Sequence, residues 1–260
     1  MICGLAGYHE PAGPALIQVP ACRGSPEVHV GNSPLVLHYE AVATTRAARP
    51  GYHHGDLPNA LANAATDLAR GGGPEAVVLR EAARRVGVSA AAAYRHYGGH
   101  GELLQAVKRR ALAALADAMQ DGLDRGEPVA DRADDAVRRF RNLGRSYVRF
   151  ALDNPGLFHT AFCRPDAAPG HVDVNVTARI EASRPYQILS GSLDELVEVG
   201  LLDPARRPVA PVAFWATVHG LATLLVDGPL ATLPGSDQAK AIQRTLDILI
   251  DGIGSPPRPA

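Results

Sequence analysis

From Asp56 onward, apolar residues recur at three- and four-residue steps, and glycine and proline clusters cut that pattern into helix-sized pieces. Leu57, Leu61, Ala64, Ala65 and Leu68 mark the first piece, and Gly71-Gly72-Gly73-Pro74 stops it. A short helix is predicted over about 79–86, broken by Gly87-Val88-Ser89. Another covers about 90–97 and is closed by Gly98-Gly99. A longer helix starts near His100 and carries Leu103, Leu104, Val107, Leu112, Leu115 and Met119. After a loop from Gly122 to Pro128, a strongly amphipathic helix is predicted near 133–153, with Val137, Phe140, Leu143, Gly144, Tyr147, Val148 and Ala151 on one face. Asn154-Pro155-Gly156 ends it. A brief helix is expected over 157–163, a loop over 164–173, and helices over about 185–199, 209–227 and 236–252. Nothing alternates with a period of two over a useful length, which excludes a sheet as the organising element.

The fold class this predicts is all-α: an N-terminal three-helix domain with a helix-turn-helix, then a larger helical domain. The expected boundaries are 46–107 for the first and 108–253 for the second. Residues 1–45 are rich in Gly and Pro without a sustained period. They read as a disordered extension, or as an upstream segment included through a wrong start codon. The tail over 254–260 reads as disordered.

Charge adds one feature. Over 46–110, ten Lys and Arg stand against five carboxylates, a net of +5 in a chain whose overall net charge is −1. A concentrated basic stretch is the footprint of a module that meets phosphates, or a solvated basic face. Cys3, Cys22 and Cys163 fit neither a disulfide framework nor a zinc pattern, which points to a reducing cytoplasm. No apolar run approaches the roughly 18–20 residues that span a bilayer, so no membrane partner is expected.

The two short helices around Gly87 have helix-turn-helix mechanics. Ala83, four residues before Gly87, lets the helices cross closely; Gly87 tolerates the positive φ of a tight turn, and Ser89 suits the N-cap of the second helix. That helix is slim through Ala90-Ala91-Ala92-Ala93 and ends in Tyr94-Arg95-His96-Tyr97. Small residues allow close approach to base edges, tyrosine hydroxyls reach phosphates, and Arg pairs with phosphate or guanine. A plain helical hairpin with Tyr94 and Tyr97 in the core has the same spacing.

The runs Tyr52-His53-His54-Gly55-Asp56-Leu57, Leu79-Arg80-Glu81-Ala82-Ala83-Arg84-Arg85-Val86-Gly87-Val88-Ser89 and Ala93-Tyr94-Arg95-His96-Tyr97 together resemble the N-terminal domain of the tetracycline-repressor (TetR) family, over about 52–107. The resemblance implies DNA contacts at Ser89, Ala91, Tyr94, Arg95, His96 and Tyr97, with supporting contacts from Arg49, Tyr52 and Arg80. Two positions depart from the family pattern. Val78 stands where a Ser or Thr usually caps the helix, and His100-Gly101 replaces a Lys that usually meets phosphate. Both imply weaker, less salt-dependent DNA binding.

Residues 147–162 and 214–230 resemble the C-terminal domain of a TetR subgroup named for its Trp, His and Gly, here Trp215, His219 and Gly220. That resemblance implies a homodimer through the last two helices, with Gly220, Ala213, Ala216 and Ala222 permitting close approach, and an unknown small-molecule ligand. Candidate ligand-binding residues are Tyr147, Phe150, Phe158, Phe162, Trp215 and His219. The same residues also suit a core in which Trp215 stacks over a hydrogen-bonded His219.

Other chemistry is sparse. His53-His54-x-Asp56 is a weak metal pattern, Gly98-Gly99 interrupts His96 and His100, and His159 with Cys163 is a possible reactive pair or a buried thiol near a helix end. No phosphate loop, nucleophile elbow or paired acid–base motif is present, so no catalytic residue, metal or cofactor is assigned and an enzyme is not expected. The function this implies is a ligand-released repressor that binds a near-palindromic double-stranded DNA operator as a dimer. The alternative is a small-molecule-binding or interaction dimer that has lost specific DNA reading.

Overall fold

The computed structural model describes residues 56–163 and 176–254; Arg49, Tyr52, His53, His54 and the N-terminal extension lie outside them. Every regular element among the described residues is helical: α1 (Leu57–Gly72), α2 (Leu79–Val86), α3 (Ala90–Tyr94), α4 (His100–Leu123), α5 (Arg132–Asp153), α6 (Pro155–Phe162), α7 (Val176–Glu181), α8 (Arg184–Glu198), α9 (Ala210–Val226) and α10 (Gly235–Gly254), with a 3₁₀ turn at Pro74–Ala76.

The helix-turn-helix forms as its residue types require. Gly87 sits at φ 81° and closes α2, its N–H donating to the carbonyls of Ala83 and Arg84. Ser89 then caps α3, its Oγ accepting from the Ala92 N–H at 3.2 Å. Ala82, Ala83 and Ala93 are buried between these helices and α1. The α3 helix ends at Tyr94, shorter than the 90–97 expected, because the Arg95 and His96 N–H groups reach back only three residues, to Ala92 and Ala93.

The α4 helix joins the two halves. Its start packs on α1 with Leu103, Leu104 and Val107 buried, and its far half packs on α5 through Leu115, Met119 and Gly122. At Gly122 the helices nearly touch: a Cβ there would stand 3.0 Å from the Asn142 carbonyl oxygen. The α5 helix is the centre of the larger domain and packs against α4, α6, α8, α9 and α10. Asp131 starts it by accepting the N–H bonds of Ala133 and Asp134. Its apolar face buries Phe140 against Phe214 of α9, ring centroids 4.9 Å apart; each such fully buried Phe contributes about 2–3 kcal/mol.

The short α6 helix is pressed onto α1, where Gly156 meets the Ala69 and Arg70 carbonyls, and Arg70 donates to Asn154 Oδ1 at 3.1 Å. The six-residue α7 was not predicted. No helix of the described residues is long and apolar enough to cross a membrane.

Candidate functional site

On the helix-turn-helix, Ala91, Tyr94, Arg95 and His96 are all exposed and contiguous with the exposed Arg80 and Ser89. Tyr94 is 46% exposed, unusual for a large apolar ring and unlike the core position that a plain hairpin would give it. Tyr97 behaves differently. It is half-buried against the core, and its hydroxyl donates to the Pro58 carbonyl at 2.9 Å, so its proton is used to anchor the end of α3 to α1. Val78 takes the extended N-cap conformation without supplying a cap. The His100 ring bonds the Val77 carbonyl through Nδ1 at 2.8 Å. Because a carbonyl only accepts, Nδ1 carries the proton, and the position that faces phosphate as Lys in the family here ties α4 to the start of α2. Glu81 bonds Arg84 and Arg85 on the outer face of α2, and the Arg84 bond holds its carboxyl at about 2.

In the larger domain a cavity of about 680 Å³ opens between α4, α5, α6, α7, α8 and α9. That volume is within the range of small-molecule sites. Leu112, Leu115, Met119, Phe162, Phe214 and Trp215 form its apolar walls. Tyr147, Phe162 and Trp215, three of the six residues expected for ligand, line it. Phe150, Phe158 and His219 are not among the lining residues; Phe158 and His219 pack behind Phe162, with ring centroids 5.3 and 4.7 Å from it.

A polar network backs this wall. Trp215 Nε1 lies 3.3 Å from Tyr147 Oη, which lies 2.9 Å from His219 Nδ1. The indole can only donate, so the single phenolic proton goes to Nδ1, and the His219 proton sits on Nε2. Burial pushes the Tyr147 phenol up and His219 down, which keeps both neutral. Trp215 and His219 thus meet edge-on rather than stacked, 6.0 Å between centroids, and are joined through the Tyr147 hydroxyl, while Trp215 also faces the cavity.

His159 and Cys163 do not pair. His159 Nε2 contacts Asp227 Oδ2 at 2.7 Å, whereas Cys163 Sγ donates to Thr160 O and its thiol is pushed up by burial. Among the described residues no three His, Cys, Asp or Glu side chains are placed to hold a metal.

The outer face of α9 is apolar, and Ile248 of α10 stands beside it. Val209, Val212 and Ile248 are 66%, 69% and 73% exposed, with Ala213, Ala216, Thr217 and Gly220 beside them on α9. Ala222 is fully buried within the chain and does not join that face. The residues that sequence reasoning missed are the cavity's α4 wall and its basic rim of Lys108, Arg109, Arg179 and Arg184, since their convergence is tertiary.

Comparison with known proteins matches these two halves separately. Residues 61–107 match the family described as bacterial regulatory proteins, tetR family. Residues 140–249 match the family described as tetracyclin repressor-like, C-terminal domain. A comparison with curated proteins gives no match. Among solved structures, a protein with unknown function from Rhodococcus sp. RHA1 is 25% identical, with a TM-score of 0.57 over 80% of this chain and 100% of that one. A TetR family transcription regulator from Marinobacter aquaeolei VT8 is 20% identical, with a TM-score of 0.55 over 76% of this chain and 96% of that one, a likeness of fold. With both its domains matched in order and its helix-turn-helix intact, the chain belongs to the TetR family of DNA-binding transcription regulators.

Proposed function

We propose that the protein is a repressor whose dimer places two α3 helices in successive major grooves, about 34 Å apart, on a near-palindromic operator. Ala91, Tyr94, Arg95 and His96 meet the DNA, with Arg80 on the adjoining backbone and Ser89 holding α3 in shape. The exposed stripe of α9 and α10 pairs with its copy in the second subunit, where Gly220 gives room because nothing lies within 4 Å of its Cβ position. A small molecule in the α4–α9 cavity favours a dimer in which the two reading helices no longer fit the grooves, and the DNA is released.

The observation that carries this reading is the double role of α4. Leu103, Leu104 and Val107 are buried in the contact with the reading domain, and Lys108, Leu112, Leu115 and Met119 wall the cavity on the same rigid helix. A ligand that shifts α4 therefore moves the reading head. The α6 helix is a second link: Cys163 at its end accepts from Lys108 at the cavity, and Gly156 at its start abuts α1. Near-complete switching needs about 10⁴-fold differential affinity of the ligand for the two states.

The test is fluorescence anisotropy with the gene's own upstream DNA against a scrambled duplex at about physiological salt. Native protein is expected to prefer the upstream DNA with two subunits per site, and Arg95→Ala to lose that preference while staying dimeric. Unchanged affinity in Arg95→Ala removes α3 as the reader. Equal binding of both duplexes by native protein, over several candidate sites, favours the fold without specific reading, to which Val78 and His100 would then belong.

A further inference from the structure

We propose that the cavity takes an amphipathic organic anion, with its apolar body against the inner wall and a carboxylate or phosphate head at the rim; this rests on the reading of the cavity as the effector site. Four basic side chains from three helices converge on the lining: Lys108 and Arg109 from α4, Arg179 from α7 and Arg184 from α8. No Asp or Glu belongs to the lining among the described residues.

Three of these cations, Arg184, Lys108 and Arg109, keep donors for a ligand. Arg184 contacts Asp117 through one terminal nitrogen, but both partners are more than half exposed, so the pair is weak and the guanidinium keeps further N–H donors. Lys108 donates one of its three protons to the Cys163 carbonyl. Arg109 is exposed at the opening. Behind this rim Leu112, Leu115, Met119, Phe162 and Trp215 offer no charge. Cationic side chains over low-dielectric walls concentrate the opposite sign. A neutral ligand would leave the rim unused, and a cationic one would be repelled.

Trp215 is the only tryptophan of the chain and lines the cavity, so intrinsic fluorescence of the full-length protein reports occupancy. Decanoate, decyl phosphate, 1-decanol and decylammonium share one tail and differ in head charge. Each is titrated below its micelle concentration. One of the two anions is expected to bind at least about tenfold more tightly than decanol, with decylammonium weakest. Arg109→Gln and Arg184→Gln are each expected to weaken that anion severalfold while leaving decanol unchanged, and added salt to shrink the preference.

Equal or tighter binding of decanol overturns the proposal, as does an unchanged Trp215 signal with both anions. Operator anisotropy in the same titrations separates the two readings. Charge-selective binding without DNA release overturns the effector reading and keeps the anion site. Release by decanol with no anion preference does the reverse.

Discussion

Gly156 is where α6 presses hardest on α1. A methyl group there would stand 2.2 Å from the Ala69 carbonyl oxygen and 2.7 Å from that of Arg70. Both are backbone atoms of the last turns of α1, so no side-chain rotation relieves the overlap. Gly156→Ala must push α6 and α1 apart. Overpacking of this kind costs about 1–3 kcal/mol, and contact with backbone puts it near the upper end. The better helix propensity of Ala returns about 1 kcal/mol at most, because Gly156 sits in the first turn of an eight-residue helix. The net loss is about 2 kcal/mol, a fall in Tm of about 4–8 °C for a chain of this size.

Thermal melting by circular dichroism measures this directly. The control is Gly191→Ala in the exposed middle of α8, where nothing lies within 4 Å of the new Cβ. There only the helix propensity acts, and a gain of about 0.5–1 kcal/mol is expected. Opposite signs for the same chemical change would show that close approach, and not glycine content, decides stability at Gly156. A Tm for Gly156→Ala equal to or above that of the native chain would refute the contact between α6 and α1, and with it the second link of the proposed mechanism.

Three other perturbations follow from the same geometry. Val78→Thr places a hydroxyl at an N-cap that already has the extended conformation, and is expected to add about 0.5–1 kcal/mol to stability, read as a higher urea midpoint. Ile248→Glu, at a position 73% exposed in the single chain, is expected to give helical monomers in sedimentation; a dimer that persists would move the interface elsewhere. Burial holds His219 below its ordinary 6.5, so its neutral form favours the folded state; that stability is complete above about pH 6.5 and is lost as pH falls below it. Tm measured between pH 7.5 and 5.5 should therefore drop, and less so in His219→Asn, whose amide oxygen also accepts from Tyr147; Glu81 and Asp135, both held low, act only in the carboxylate range below.

The legible parts of this protein are those set by neighbours in sequence. Gly87 and Ser89 announce a turn and a cap because positive φ and an N-terminal acceptor are local requirements, and the structure uses both as read. The apolar stripe of α5 declares its buried face for the same reason. The α7 helix was not legible: six residues, mixed in polarity, carry too little periodicity to separate them from a loop. Ambiguity of another kind affected Tyr94 and Tyr97. They share a residue type and a helix end, yet one is exposed and the other bonds Pro58, a carbonyl 39 positions away.

The basic residues make the same point about function. Lys108 and Arg109 first count toward a cationic stretch that suits phosphates of DNA, because charge along a sequence carries no direction. In the fold they turn away from that role and meet Arg179 and Arg184 at the cavity mouth. On the two proposals together, the stretch would serve two anions, with Arg80 and Arg95 beside α3 and Lys108 and Arg109 two turns into α4. Since α4 is one continuous helix, an anion at its middle and phosphates near its start would act on one body. Binding at either site that prefers its own tilt of α4 must weaken the other by the same factor, the reciprocity any true coupling obeys.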